Sequence, residues 1–382
     1  MKVYDWLIVG GGLTGSALAY ELAVVGFSVL LIEQHQYLQG ATRYSYGGIP
    51  HWSGTTELTT QLAKEGLDRY HQLAAELDSD IEFRQIDLLL TIASNANPQT
   101  ICSQYNHFAT QPQLLDVNLA CELEPMLNPE SISGVLHYKH AHVNPELLVK
   151  AYQSGLISHG GEICIDQVTD LEQESVSTLK STYYAQNIGV CAGGIGRSLL
   201  KNAGISIQLY FTHAEVIETT PSNLSLRAMV MPAMDSRLIL ESEASNNDEG
   251  WHLRDRQLLP PSIDVGAIQF KNRQLRLGQI SQVHTNPHLV QDLQQSEMSI
   301  RAQVNKILPA IASVPGSCHH CLVAFSPDSL PLVGLVTDRI HIFSGFTSPF
   351  SYVPTLAQRF ALALSGKPDS LIAQLSPHRF SS

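Results

Sequence analysis

The sequence predicts an α/β fold of two domains, one a parallel-sheet domain that is discontinuous along the chain and the other an α+β domain built on an antiparallel sheet. Three observations predict it. Residues 3–33 read as strand, glycine turn, helix, strand and acid. Helices and strands alternate again between Asn144 and Gly196, and from Ile205 to Gly278 strands follow one another without clear helices.

The opening element is the most explicit. Tyr4 to Val9 is an apolar run too short for a helix, and it leads into Gly10-x-Gly12-x-x-Gly15. Leu13 to Val25 is amphipathic and is closed by Gly26, a C-cap signal; Ser28 to Ile32 is a second buried strand, and it ends at Glu33. Gly10 makes the tight turn, Gly12 admits a pyrophosphate to the backbone, and Gly15 lets helix and sheet pack closely. The helix N-terminus, with Leu13 and Thr14 in its first turn, offers free amides to phosphate. Glu33 lies eighteen residues after Gly15, where a carboxylate reaches ribose hydroxyls. The unit is a Rossmann-like dinucleotide site, and its acid favours a free 2′-hydroxyl, as in NAD or the adenosine half of FAD.

Composition sets the class. The 382 residues suffice for two domains with buried cores, and 44% hydrophobic with 15% charged residues is typical of a globular chain. Lys+Arg 23 against Asp+Glu 35 gives a net charge of −12, which argues against nucleic acid and anionic membrane as partners. No run of apolar residues is long enough to span a bilayer. The apolar start is cut by glycines and reads as a sheet strand rather than a signal peptide, so the expected location is cytoplasmic. Six cysteines are too sparse for a disulfide framework, in keeping with a reducing compartment.

Further along, Gln34 to Gly54 lacks either periodicity and reads as a long functional loop. Glu57 to Leu77 reads as a helix, Ile86 to Ile92 as a strand and Ser94 to Pro98 as a turn. Asn144 is an N-cap with Pro145 at N1, starting a helix through Ser158 that Gly160-Gly161 ends. Strands follow at Glu162–Ile165, near Val168 and at Tyr183–Val190, before Ala192-Gly193-Gly194. Phe211–Glu218, Ala228–Met231, Leu238–Glu241 and Leu275–Gly278 read as the second sheet, with Glu243–Gly250 as a hairpin tip. Leu289–Leu308 reads as a helix, Ile340–Phe343 as a buried strand, Gly345–Phe350 as a turn and Ser351–Leu364 as a helix with Pro354 in its first turn.

The fingerprint, Asn144-Pro145-Glu146-Leu147-Leu148, Ala192-Gly193-Gly194, Ser326-Pro327-Asp328-Ser329-Leu330-Pro331-Leu332-Val333-Gly334 and Gly345-Phe346-Thr347 stand in the order and spacing of a known family. Over nearly the whole chain the sequence resembles the FAD-dependent amine oxidoreductases, the family of D-amino-acid oxidase, glycine oxidase and sarcosine oxidase. The resemblance implies a discontinuous FAD-binding domain over residues 1–84, 140–206 and 321–382, and a substrate domain over 85–139 and 207–320. It implies that Gly10, Gly12, Leu13, Thr14, Gly15, Glu33 and Gln34 hold the adenosine diphosphate half. Thr42 would meet the pyrophosphate, Arg43, Tyr44 and Ser45 would run beside the isoalloxazine, Val168 would contact adenine, and Ala192, Gly193 and Gly194 form the second glycine turn. Gly345, Phe346, Thr347, Ser348 and Pro349 would present amides to the N1–C2 carbonyl edge.

Cys321 lies six residues before Pro327, where sarcosine oxidase-like members carry the cysteine bonded to the flavin; a buried inert thiol, half of a zinc site or a redox pair with Cys318 are the other readings. Arg276 aligns with a lysine over the flavin that promotes reaction with oxygen. Three carboxylate-binding cations of the relatives fall on Val323, Tyr352 and Tyr46, so a plain amino acid lacks its usual anchors. Tyr44, Tyr46, His51, Trp52, Phe350 and Tyr352 suggest an aromatic pocket instead. The expected function is oxidation of the C–N bond of a small amine or amino acid by hydride transfer to flavin N5, with oxygen as acceptor; Arg276, Arg43, Tyr46 and Tyr352 are the candidate catalytic residues, and no metal is expected. The alternatives are dehydrogenation of a 2-hydroxy acid or polyol phosphate with electrons passed to a quinone, and a catalytically idle flavin-binding module.

Overall fold

The strand Val3–Val9 lies near the middle of an eight-stranded sheet, paired in parallel with Val29–Glu33 on one side and Thr182–Val190 on the other. The computed structural model describes residues 2–234 and 236–380. Outward from these, Glu162–Ile165 and Ile340–Ser344 add parallel strands, and Leu332–Leu335 closes one edge antiparallel. Parallel strands need both faces covered, which is why Leu7, Ile8, Leu31 and Ile342 are all fully buried. One face carries the helices Leu13–Val24, Glu57–Glu76, Pro145–Ser158 and Pro349–Leu364 around one apolar core that includes Leu18, Tyr70, Tyr152 and Phe360.

The helix boundaries follow local chemistry. Asn144 accepts hydrogen bonds from the amides of Glu146 and Leu147 at 3.1 and 3.3 Å and starts the helix at Pro145, as its sequence predicts. Thr56 and Thr59 form a reciprocal capping box for Glu57–Glu76. Pro349–Leu364 begins two residues earlier than its sequence suggests. Pro349 occupies N1, where a missing amide costs nothing, so Pro354 falls in the second turn rather than the first.

The second sheet has nine strands. Its order is Gly316–Phe325, Tyr210–Thr219, Leu275–Gln282, Ser262–Gln269, Met229–Pro232, Arg84–Ala93, Ile132–His142 and Gly48–Ile49, with Gln113–Leu115 also against Ile132–His142. It is antiparallel apart from the pair Met229–Pro232 with Arg84–Ala93. One face packs on the helix Leu293–Ile307 through Ile217, Leu277, Ile300 and Val304. The other face carries Met229, Tyr138 and Ile268, with Trp52 packed on it.

Three expectations need correction. Leu238–Glu241 is not a strand but part of a helix, Ser236–Ser245. Asp264, from a neighbouring strand, accepts from the amides of Ser236 and Arg237 at 3.3 and 3.1 Å and caps it, while Leu240 and Ala244 bury one face against Trp251. Glu243–Gly250 is therefore no hairpin tip; it ends that helix and leads into a 3-10 turn, Glu249–His252. The segment Gln34–Gly54 contains a short helix, Gly40–Tyr44, with no buried residue to mark it in the pattern, and the short strand Gly48–Ile49.

Candidate active site

The glycine turn opens onto a cleft of about 300 Å³ lined by Gly10, Gly12, Thr14, Glu33, Gln34, Thr42, Val168, Ala192, Gly193 and Gly194. Fingerprint spacing singled out Gly10, Gly12 and Glu33, the family resemblance pointed to the others, and the fold brings them together. Glu33 accepts from the amide of Gly11 at 2.6 Å and from that of His35 at 2.9 Å. A carboxylate has about four acceptor sites, so it keeps capacity for ribose hydroxyls. Thr42 Oγ1 accepts from the Leu13 amide at 3.1 Å, closing the return loop over the helix N-terminus.

The glycines divide by cause. Gly10 has φ +104°, and a Cβ there would lie 2.6 Å from the Cys191 carbonyl oxygen. A Cβ on Gly15 would overlap the Gly10 carbonyl. These two are demanded by the protein. Gly12 is not: its φ is −71°, and a Cβ would meet only Thr42 Oγ1, at 3.2 Å. Space left empty over a helix N-terminus is space for a ligand. Leu13 and Gly15 lie behind the cleft rather than in its lining.

His35, Gln39, Gly40, Ala41, Asp166 and Gln167 also line the cleft and were not singled out in sequence. Asp166 is buried and accepts from Thr178 Oγ1 at 2.6 Å and from the Gln167 amide at 2.9 Å. Its own amide donates to the Glu33 carbonyl at 2.8 Å, so it fixes the loop that carries Val168. Only the loop position of Gln39 to Ala41 gave a signal in the pattern.

Beyond the cleft, the helix Pro349–Leu364 points its N-terminus out of the loop Gly345–Ser348. Gly345 has φ +76°, and Ser348 provides no side-chain cap. The Thr347 and Ser351 hydroxyls are buried without a hydrogen-bond partner among the described residues. Ser351 was missed in sequence because nothing distinguishes a waiting hydroxyl from a packed one. Phe346 is in the core beside Phe343, at a ring separation of 4.9 Å.

Arg43, Tyr44 and Ser45 meet the second sheet. Arg43 pairs with Glu218 at 2.6 Å and with Glu146 at 2.7 Å. Arg276 is buried, donates from Nη1 to the carbonyls of Arg43 and Ser45 at 2.8 and 3.2 Å, and pairs through Nη2 with Glu218 at 2.6 Å. Tyr44 stacks on His319, ring centroids 4.6 Å apart. Burial pushes up the Glu218 carboxyl, but the guanidiniums of Arg43 and Arg276 outweigh it and hold the group below its usual range. Tyr46 points its hydroxyl into the second sheet near Gly266, buried and without a hydrogen-bond partner among the described residues.

Cys318 and Cys321 are free thiols three residues apart on one strand, which sends them to opposite faces. Cys318 packs in the core beneath the helix Leu293–Ile307. That separation removes the zinc half-site and the redox pair. Burial pushes the Cys321 thiol up to about 12. The described residues contain no cluster of three or more His, Cys, Asp or Glu arranged to hold a metal. The expected aromatic pocket is also divided. Trp52 stacks on Tyr138 at 3.8 Å in the second sheet, whereas Phe350 and Tyr352 lie in the core with the helix Leu13–Val24.

Comparison with known proteins follows the same lines. The profile of the FAD dependent oxidoreductase family matches residues 5–362. The chain belongs to this family. Glycine oxidase of Geobacillus kaustophilus (strain HTA426) is 23% identical over 82% of the chain and 85% of that protein. The crystal structure of glycine oxidase from Geobacillus kaustophilus covers 100% of both chains with a TM-score of 0.80 at 19% identity, which establishes the fold. An uncharacterized oxidoreductase of Bacillus subtilis (strain 168), YurR, is 25% identical over 99% of the chain and 98% of its own length. Glycerol 3-phosphate oxidase of Mycoplasma pneumoniae is 26% identical over 46% of the chain and 48% of that protein. No helix among the described residues is long and apolar enough to cross a membrane.

The cofactor is FAD, and the residues present fit it. The space over Gly12, the spare acceptors of Glu33 and the unpartnered hydroxyls of Thr347 and Ser351 each await a ligand of this polarity. FAD would be held by the cleft through its adenosine diphosphate.

Proposed function

We propose that this member of the family oxidises the C–N bond of a small amine or amino acid, with oxygen as the electron acceptor. FAD supplies the two-electron acceptor, taking hydride at N5. In this reading Arg43–Ser45 run beside the isoalloxazine and the second sheet covers the face where substrate reacts. Gly345–Pro349 and the helix after them face the N1–C2 edge, where a helix N-terminus favours the charge gained on reduction.

One observation supports the choice of an amine: the likeness to glycine oxidase extends over 82% of the chain and 85% of that protein, against 46% and 48% for glycerol 3-phosphate oxidase. An amine in its neutral form delivers hydride by the push of its own lone pair; an alcohol loses a hydroxyl proton as well.

The match to glycerol 3-phosphate oxidase favours a second reading, oxidation of a 2-hydroxy acid or polyol phosphate. Anaerobic titration separates them. The flavin band is followed while glycine, N-methylglycine, D- and L-amino acids, cyclic imino acids, 2-hydroxy acids and glycerol 3-phosphate are added in turn. Bleaching by an amine and recovery in air is the expected result. Bleaching by hydroxyl substrates alone transfers the assignment to the second reading, and a flavin that resists the whole panel points to a substrate outside it or to an idle module.

A further inference from the structure

We propose that Glu218 is a positioning residue that fixes both the place and the net charge of an arginine pair beside the flavin ring; this rests on the placement of Arg43–Ser45 along the ring given above. Glu218 sits on Tyr210–Thr219 directly across from Arg276 on Leu275–Gln282. Its Oε1 accepts from Arg43 Nη2 at 2.8 Å, and its Oε2 accepts from Arg43 Nη1 and from Arg276 Nη2, both at 2.6 Å. One carboxylate therefore grips two guanidiniums.

The two arginines hold one segment by different handles. Glu218 secures Arg43 by its side chain, and Arg276 secures the same stretch by the carbonyls of Arg43 and Ser45. The Tyr44 ring lies under both, with the guanidinium carbons 5.5 and 5.8 Å from its centroid. Glu146 completes a chain of two cations and two anions, but its side chain is 40% exposed against 13% for Glu218 and 4% for Arg276. Water screens the outer carboxylate far more than the inner one, so the balance beside the ring is set by Glu218.

Arg276 therefore differs from the oxygen-activating cation that the alignment suggests, because its charge is already matched in place. Its Nε is buried with no acceptor among the described residues. That N–H is a directed donor on a guanidinium already paired with a carboxylate, a different tool from a bare cation.

The test is the reduction potential of the bound flavin, together with FAD affinity of the apoprotein. Glu218→Gln keeps the shape and leaves one cation unmatched, so the potential rises, since positive charge favours the reduced ring. Adding Arg276→Gln to it removes one cation, restores the parent's local sum and returns the potential toward that of the parent, whereas a purely structural role would make the double variant worse. Glu218→Asp keeps the charge with a shorter reach; it leaves the potential near the parent's and weakens FAD binding. A Glu218→Gln potential equal to the parent's, while Arg43→Gln moves it, overturns the proposal but keeps the segment beside the ring. If neither change moves the potential, the placement of Arg43–Ser45 is wrong and the proposal falls with it. A Glu218→Asp shift as large as that of Arg43→Gln also overturns it, and this comparison decides the matter if Glu218→Gln fails to retain FAD.

Discussion

A methyl group placed on Gly12 would touch one protein atom, Thr42 Oγ1, at 3.2 Å, whereas one placed on Gly15 would overlap the backbone of Gly10. The two glycines are thus kept for different reasons. Gly12→Ala is expected to fold with its melting temperature close to that of the parent apoprotein and to lose FAD affinity by at least about tenfold, roughly 1.4 kcal/mol. Gly15→Ala is expected to fail in folding itself. Thermal melts of the apoproteins and fluorescence titration with FAD distinguish the two.

The buried ion pair of Arg69 with Glu21, at 2.8 Å, ties the helix Glu57–Glu76 to Leu13–Val24. Removing one partner strands the other in the core. Arg69→Met should lower stability by about 3–5 kcal/mol, read as the urea midpoint of the holoprotein. Adding Glu21→Gln should recover much of it, because the stranded charge is gone.

Four buried imidazoles make the fold sensitive to acid. Burial lowers His140 and His142 to about 3 and His213 and His341 to about 4, against an ordinary value near 6.5. Below 6.5 the unfolded chain binds protons that the folded one refuses, so stability is full above that value and falls as pH drops toward 4. The melting temperature should decline over this window. His341 lies between Trp6 and Phe360, and His341→Phe should flatten the decline.

Tyr46 allows substrate contact to be separated from packing. Its hydroxyl is buried with no partner among the described residues, so Tyr46→Phe should leave the free enzyme as stable or more so, by up to about 1 kcal/mol. If the hydroxyl meets substrate, KM rises severalfold with kcat little changed. An unchanged KM would assign Tyr46 to the sheet alone.

The Cys321 thiol is held at about 12 by burial, and the thiolate is the nucleophilic form. FAD is expected to be non-covalent. Acid precipitation should release the flavin into the supernatant; a yellow pellet that turns colourless in Cys321→Ser would show the opposite.

The cofactor cleft was legible in the sequence because its parts are local: glycine spacing, a helix start, an acid at the end of the next strand. The charged cluster was legible only in fragments. Arg43 and Arg276 were singled out, but Glu218, which joins them, looks like any other alternating residue of a strand, and its significance appears only when Arg276 is placed across from it. The helix Ser236–Ser245 was misread for a similar reason. Its cap, Asp264, comes from another strand, and a short apolar run such as Leu238 to Leu240 fits either periodicity. The aromatic pocket failed because adjacency in a motif says nothing about which side of a helix faces the core.

The strand Ile340–Ser344 pairs with Thr182–Val190, itself beside Val3–Val9, and the helix Pro349–Leu364 packs on Leu13–Val24. During synthesis the first strand must therefore wait on the ribosome for partners made long after it, with the whole second sheet emerging in between. The helix that follows the glycine turn lacks its packing partner Pro349–Leu364 until then, and the exposed early elements are the point at which a nascent chain is most in need of a chaperone.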